Sequence, residues 1–334
     1  MGNCIDYAYS HDDGICAGEP RWLSKLDQNT RLSQLSLPGT HDTMSLGWGG
    51  DIAQTQSKSL DSQLNSGIRF LDIRLAAKPN SSDPLKAHHG IVYLHSSFKK
   101  ILDIVTKFLA FNYTETVIMR IKQENTKESD ATFLNLLRKF TDDPNYSQFI
   151  YNFTGNVNPT LNEMKRKIVI LQNFGGELKW IPYTSTFTIQ DSYDLRNNWD
   201  LYKKWNSVKN HLYNANYSAS RNVAKGFINY LNGSGGVFPY FVASGHSSPQ
   251  TNAPLLSTGL TEPAFKNHYP DFPRINRLGV FSTIAFQGTN KLTKAYIDQN
   301  KPSYVGIVVA DFPQQGLINS IINVNKIIRN FTPR

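Results

Sequence analysis

A chain of 334 residues with a hydrophobic fraction of 40% and an aromatic fraction of 12% carries ample apolar surface for a core, which excludes wholesale disorder. Its length suits one α/β barrel with insertions as readily as two average domains. The net charge of +9 is spread widely, with pairs such as Lys99-Lys100 and no long basic run, so an anionic interface is a better expectation than nucleic acid.

The beginning of the chain has no leader-like charged and apolar regions, and no stretch approaches the roughly 20 apolar residues of a membrane span. MGNCID begins like a myristoylation signal, but Asp6 stands where Ser or Thr is required, so no lipid anchor is expected. Cys4 and Cys16 lie ahead of the first strand-like run, which leaves no Cys-based metal site or catalytic thiol. They either close a small loop in an oxidising compartment or stay free. Sequons at Asn80, Asn112, Asn145, Asn152, Asn216, Asn232 and Asn330 fit a secreted, extracellular protein. Residues 1–30 read as an N-terminal extension and residues 31–334 as a single barrel domain.

Strand-like runs fall at residues 35–37, 68–75, 87–90, 116–122, 167–172, 186–190, 226–230 and 305–311. They alternate with helical periodicity at 98–111, 131–140, 199–213, 292–297 and 317–328, which points to βα units around a largely parallel sheet. Eight strands predict an α/β fold with a single distorted or incomplete (β/α)8 barrel of the TIM type. Residues 233–277, rich in Gly, Pro, Ser and Asn, read as a long functional or mobile loop. Side chains alternate across a strand, so Leu71, Ile73 and Leu75 oppose Phe70, Asp72 and Arg74. In the same way Val117, Met119 and Ile121 oppose Arg120, Lys122 and Glu124, placing charges at the barrel mouth.

Three motifs carry chemistry. LSLPGTHD, residues 35–42, is a short strand and Pro-Gly turn delivering His41 and Asp42, a pair that in isolation is more often a hydrogen-bonded loop element than a catalyst. RFLDIR, residues 69–74, projects Asp72 and Arg74 from one strand face; alone they would be a structural ion pair, but charges at the C-terminal end of a barrel strand face the active side. AHHG, residues 87–90, has adjacent histidines that point opposite ways if extended, so one can face a pocket.

LSLPGTHD, FLDIR, HHG, VIMRIKQE and GIVVADF together, ordered from residue 35 to residue 312, resemble the bacterial phosphatidylinositol-specific phospholipase C family. The resemblance implies that His41 is the general base for the inositol 2-hydroxyl and that Asp311 orients it. By the same resemblance His89 protonates the diacylglycerol oxygen, Asp42 partners it, and Arg74 holds the phosphate beside Asp72. Lys122 would edge the inositol pocket, and IQDSY supplies Asp191 to bind and Tyr193 to stack on inositol. The chain departs from the family at Gln172-Asn173, where a basic residue would face the inositol hydroxyls, which puts head-group preference in question.

Internal attack on phosphorus needs a base, an acid for the leaving alkoxide and cationic stabilisation, and two histidines with carboxylates plus one arginine meet that need. A guanidinium in the place where metal-using relatives hold calcium predicts a metal-independent enzyme with no cofactor. The expected partner is a phosphatidylinositol-containing membrane surface, touched transiently by a monomer. Trp48, Phe238, Tyr240 and Phe241 are candidates for an interfacial rim, with packing beneath the long loop as the alternative. The competing functions are a metal-dependent glycerophosphodiester or sphingomyelin phosphodiesterase and an inactive lipid-binding relative. Free phosphatidylinositol, its phosphorylated forms and glycosyl-phosphatidylinositol anchors all stay open as targets.

Overall fold

The computed structural model describes residues 4–221 and 225–328. Among the described residues fifteen strands are defined: β1 (Leu37–Thr40), β2 (Phe70–Ala77), β3 (Leu85–His89), β4 (Val92–Ser97), β5 (Val117–Gln123), β6 (Ile168–Asn173), β7 (Ile181–Pro182), β8 (Phe187–Gln190), β9 (Asp194–Leu195), β10 (Gly226–Tyr230), β11 (Ser234–Gly235), β12 (Ser257–Thr261), β13 (Arg274–Leu278), β14 (Phe281–Ala285) and β15 (Ile307–Ala310). Eight of them run parallel in the order β7-β6-β5-β2-β1-β15-β10-β8. This is an incomplete α/β barrel, because the two ends of the path, β7 and β8, do not pair. Only the short helix Tyr183–Thr186 separates those two strands. A parallel crossover needs a dozen or more residues, so the chain cannot loop back to pair β8 beside β7, and the barrel stays open there.

Helices cover the outer face, and their boundaries follow from sequence. Ser59, Ser97 and Ser129 cap the helices Leu60–Ser66, Phe98–Phe111 and Asp130–Thr141 by accepting from backbone N–H groups of the first turn. In Phe98–Phe111 the buried Phe98, Ile101, Leu102, Val105, Phe108 and Leu109 form one helical stripe against the sheet. The opposite sides of β2 and β5 complete that layer with Leu71, Ile73, Leu75, Met119 and Ile121. Large parts of the N-terminal segment pack on the barrel: Trp22 is buried and donates from Nε1 to the Gly67 carbonyl at 2.9 Å, Tyr9 bridges to Pro313, and Cys4 is disulfide-bonded to Cys16.

Four sequence expectations change. The run at 87–90 is not a barrel strand, since β3 pairs antiparallel with both β2 and β4 in a hairpin off the parallel path. Gly90, at φ 53°, supplies the left-handed turn between β3 and β4. The first barrel strand lies two to three residues later than residues 35–37. Residues 233–277 are not structureless: they hold the helix Pro239–Ser244 and two strands of an antiparallel sheet ordered β12-β14-β13. The sequon residues Asn112 and Asn232 are buried, and Asn330 lies outside the described residues.

Candidate active site

Strand register builds the centre of the site. β1 pairs with β15 so that Thr40 stands opposite Ala310, which sets the next residues, His41 and Asp311, side by side. His41 Nδ1 lies 2.8 Å from Asp311 Oδ1. Gln56 Nε2 donates to the carbonyls of both His41 and Ala310, tying the two strand ends together. β2 lies on the other side of β1, and its Asp72 and Arg74 align with Arg120 and Lys122 of β5.

The protonation state of His41 follows from its neighbours. Arg74 Nη2 lies 2.7 Å from His41 Nε2, and a guanidinium has donors only. Nε2 therefore presents a lone pair, Nδ1 carries the proton and donates to Asp311, and the ring is neutral. Burial, then the charge of Arg74, holds the His41 pKa well below 6.5. Asp72 accepts from Arg74 at 3.1 Å and from Arg120 at 2.9 Å. Burial works against its charge, but the two guanidiniums outweigh that and hold it below the usual carboxylate range.

His89 reaches the same space from outside the barrel, on the β3–β4 hairpin. Its Nδ1 is 2.8 Å from the Ala53 carbonyl, which can only accept, so Nδ1 is protonated and Nε2 faces away from that bond. Asp42 Oδ2 stands 3.3 Å from the same nitrogen. Burial and then Arg74 lower the His89 pKa, so in the free site both imidazoles tend to be neutral. The two ring centroids are 6.3 Å apart, and Arg74 contacts the His41 ring.

Arg74 sits where carboxylates converge: Asp72 at 3.1 Å, Glu124 at 3.6 Å and Asp42 at 3.7 Å. Burial opposes its charge, and those three carboxylates raise its pKa well above the ordinary value. Asp42 Oδ2, Glu124 Oε2 and Asp311 Oδ2 are buried without a hydrogen-bond partner among the described residues, leaving acceptors for polar groups that enter the site.

The remaining sequence candidates spread outward. Lys122 is half-exposed and turns to Glu124 at 3.3 Å. Asp191 and Tyr193 follow β8 and are exposed. Trp48 is 52% exposed and stacks on His95 at 3.8 Å, while Phe238, 43% exposed, stacks on the half-buried Tyr240. Phe241 is a correction: it is 4% exposed, in a hydrophobic cluster with Val242, Phe272 and Phe286, because the helix Pro239–Ser244 turns its apolar face inward.

Sequence reasoning placed Arg120 and Glu124 among the charges at the barrel mouth but gave neither a role. Gly90 N–H donates to Glu124 Oε1 at 2.6 Å, so Glu124 fastens the hairpin bearing His89 to the end of β5 beside Arg74. Arg120 is held by Asp72, by Asn173 Oδ1 at 2.8 Å and by the Tyr230 hydroxyl at 3.1 Å, and it stacks over the Tyr183 ring. Asn173 thus serves the barrel interior, and Gln172 instead closes its own loop by bonding Glu177, Lys179 and Trp180. The buried Lys204 donates to the Tyr230 carbonyl at 2.7 Å, and burial lowers its pKa to about 7. The alternation of Arg120 with Met119 and Ile121 was the available signal for this inner layer.

Residues 35–174 match the model of "Phosphatidylinositol-specific phospholipase C, X domain". A protein of Staphylococcus aureus (strain Newman) named 1-phosphatidylinositol phosphodiesterase is 28% identical over 278 residues, covering 74% of this chain and 86% of its own length. A Listeria monocytogenes protein of the same name is 39% identical over 165 residues, 45% of this chain and 48% of that protein. The solved phosphatidylinositol-specific phospholipase C from Listeria monocytogenes superposes with a TM-score of 0.65 at 24% identity, covering 92% of this chain and 99% of that structure, a likeness of fold.

Proposed function

We propose that this chain, which belongs to the phosphatidylinositol-specific phospholipase C X-domain family through residues 35–174, cleaves phosphatidylinositol to diacylglycerol and inositol 1,2-cyclic phosphate. The observation that carries the reading is the pair of imidazoles 6.3 Å apart, each backed by a carboxylate and both beside one guanidinium.

His41 takes the proton of the inositol 2-hydroxyl on its Nε2 lone pair as that oxygen attacks phosphorus. Asp311 fixes the Nδ1–H tautomer and stabilises the imidazolium that forms. Arg74, already held by Asp72, donates to the phosphoryl oxygens and stabilises the charge that builds on them. Because Arg74 bonds His41 Nε2 in the free site, substrate draws the guanidinium onto phosphate and frees the base. Burial and then Arg74 lower the His89 pKa; the phosphate offsets the Arg74 charge and its own negative charge favours the imidazolium, so His89 takes up a proton on binding and delivers it from Nε2 to the diacylglycerol oxygen. Asp42 at 3.3 Å supports that cation. Lys122, Asp191 and Tyr193 contact the inositol ring at the mouth.

The guanidinium at the convergence of Asp42, Asp72 and Glu124 supports a metal-independent reaction, since the positive charge is supplied by the chain. Exposed Trp48 and Phe238 with the half-buried Tyr240 form part of the rim that meets a phosphatidylinositol-containing membrane, which the enzyme touches as a monomer. The Cys4–Cys16 disulfide supports secretion. A phosphatidylinositol analogue methylated on the inositol 2-hydroxyl tests the chemistry: it is expected to bind and stay intact. Cleavage of that analogue would mean that external water is the nucleophile.

A further inference from the structure

The residue that follows Asp311 sits in a backbone conformation that its own chemistry disfavours. Phe312 has φ 47°, in the left-handed region where a bulky side chain is an outlier. It also precedes Pro313, and the residue ahead of a proline is normally pushed to extended backbone. Strain of this kind persists only where the surroundings over-determine it.

The surroundings come from the other end of the chain. Residues 7–12 cross the turn after β15 as a strap: Ser10 N–H donates to the Phe312 carbonyl at 3.3 Å, Gln314 N–H to the Ala8 carbonyl at 3.1 Å, and Gly316 N–H to the Tyr7 carbonyl at 2.8 Å. The approach is so close that a Cβ at Gly316 would stand 2.5 Å from the Tyr7 carbonyl oxygen. Tyr9 meets the buried Phe312 ring edge-on at 5.6 Å, and the His11 ring lies 4.7 Å from it. The Tyr9 hydroxyl donates to the Pro249 carbonyl at 2.9 Å, which fixes the tyrosine in turn. Ser57 Oγ donates to the Ser10 and Asp12 carbonyls, and the Cys4–Cys16 disulfide closes a loop that contains the strap and limits the other courses it can take.

The same turn is tied to the histidine that Asp311 faces. Phe312 N–H donates to the Thr55 carbonyl at 2.9 Å, and Thr55 Oγ1 donates to the carbonyls of His41 and Asp42 at 3.1 Å each. Asn290 Nδ2 bridges strap and turn, donating to the Ala8 carbonyl at 3.3 Å and to the Asp311 carbonyl at 2.8 Å. We infer that residues 7–12 position the Asp311 carboxylate: by clamping Phe312 in its left-handed conformation they aim Oδ1 at His41 Nδ1, which makes Tyr9 and His11 positioning residues. The inference rests on the reading of His41 as the base and Asp311 as the carboxylate that orients it. The strap supplies none of the groups proposed to touch substrate, so loosening it weakens the carboxylate–imidazole bond and leaves substrate binding in place.

Two readouts on the full-length chain test the strap. Proton NMR of the free protein needs no turnover and so is separate from the phospholipase reading. The Nδ1 proton of His41 is expected there as a slowly exchanging downfield signal in wild type, broadened or lost in Tyr9→Ala. In steady-state cleavage of phosphatidylinositol, Tyr9→Ala is expected to lower kcat about tenfold with KM within about twofold, and Tyr9→Phe, which keeps the ring, to stay within about threefold of wild type. His11→Ala, at a half-buried side chain whose removal spares the fold, is expected to lower kcat about threefold. In an Asp311→Asn background either alanine variant is expected to cost less than about twofold, because the charged partner that the strap aims is already gone. Wild-type kcat with an unchanged imidazole signal in both alanine variants would overturn the inference. So would losses as large in the Asp311→Asn background as in wild type, which would mark a general loosening of the fold. No cleavage by wild-type protein, with the imidazole signal still lost in Tyr9→Ala, would fault the proposed reaction while supporting the strap's hold on Asp311.

Discussion

The two histidines of the site are held in different ways. His41 follows a four-residue barrel strand and is fixed by register: β15 brings Asp311 to it, and Gln56 ties both strand ends. His89 sits on a hairpin outside the barrel, fastened by the Ala53 carbonyl and by Glu124 through the Gly90 amide. A side chain built on strand register, the proposed base, is placed by the hydrogen bonds that make the barrel. A side chain on an accessory hairpin, the proposed acid, depends on a few local contacts and can be loosened without unfolding the core.

His41→Ala sharpens the contrast most, because it removes the neutral imidazole lone pair that Asp311 positions: kcat is expected to drop about 10⁴-fold, with an unchanged circular dichroism melt. Asp311→Asn keeps the shape but invites the wrong tautomer, and a loss of about 10³-fold in kcat with little change in KM is expected from steady-state kinetics. His89→Ala is expected to cost about 10³-fold on phosphatidylinositol but less than about tenfold on a p-nitrophenyl inositol phosphate, whose leaving group needs no proton. Equal losses on both substrates would break the assignment of His89 as acid. Glu124→Gln, which keeps the Gly90 bond and removes charge beside Arg74, is expected to cost about tenfold or less.

The pH dependence separates the same two regions. Burial and Arg74 lower the His41 pKa, so the neutral base persists below pH 6.5 and the acid limb of kcat/KM lies lower than for a free imidazole. Removing the positive charge in Arg74→Gln lets that pKa rise, so the acid limb of the residual activity is expected to move to higher pH. Calorimetry of substrate-analogue binding in buffers of different ionisation enthalpy is expected to report net proton uptake by wild-type protein and its loss in His89→Ala.

The parallel core and the cluster of charges at its strand ends were legible because their signals are local: alternation in β2 and β5, a Pro-Gly turn before His41, and a carboxylate ending an apolar strand. The two histidines of AHHG are geometrically equivalent in sequence, and only the family resemblance favoured His89. The antiparallel direction of β3 was missed because an isolated Gly90 is a weak hairpin signal beside two βα patterns. The layer of Arg120, Asn173, Tyr183 and Tyr230 depends on neighbours 53 to 110 positions apart, which no local pattern specifies. The β12-β14-β13 sheet read as loop because its strands alternate weakly and its turn carries Val280 where a polar residue is usual.

Phosphorus NMR of the products released from phosphatidylinositol vesicles in excess EDTA tests the central claim most directly. The account predicts inositol 1,2-cyclic phosphate as the first product, formed at the same rate with or without the chelator. Turnover that disappears in EDTA and returns with calcium, or inositol 1-phosphate formed with no cyclic precursor, would contradict it.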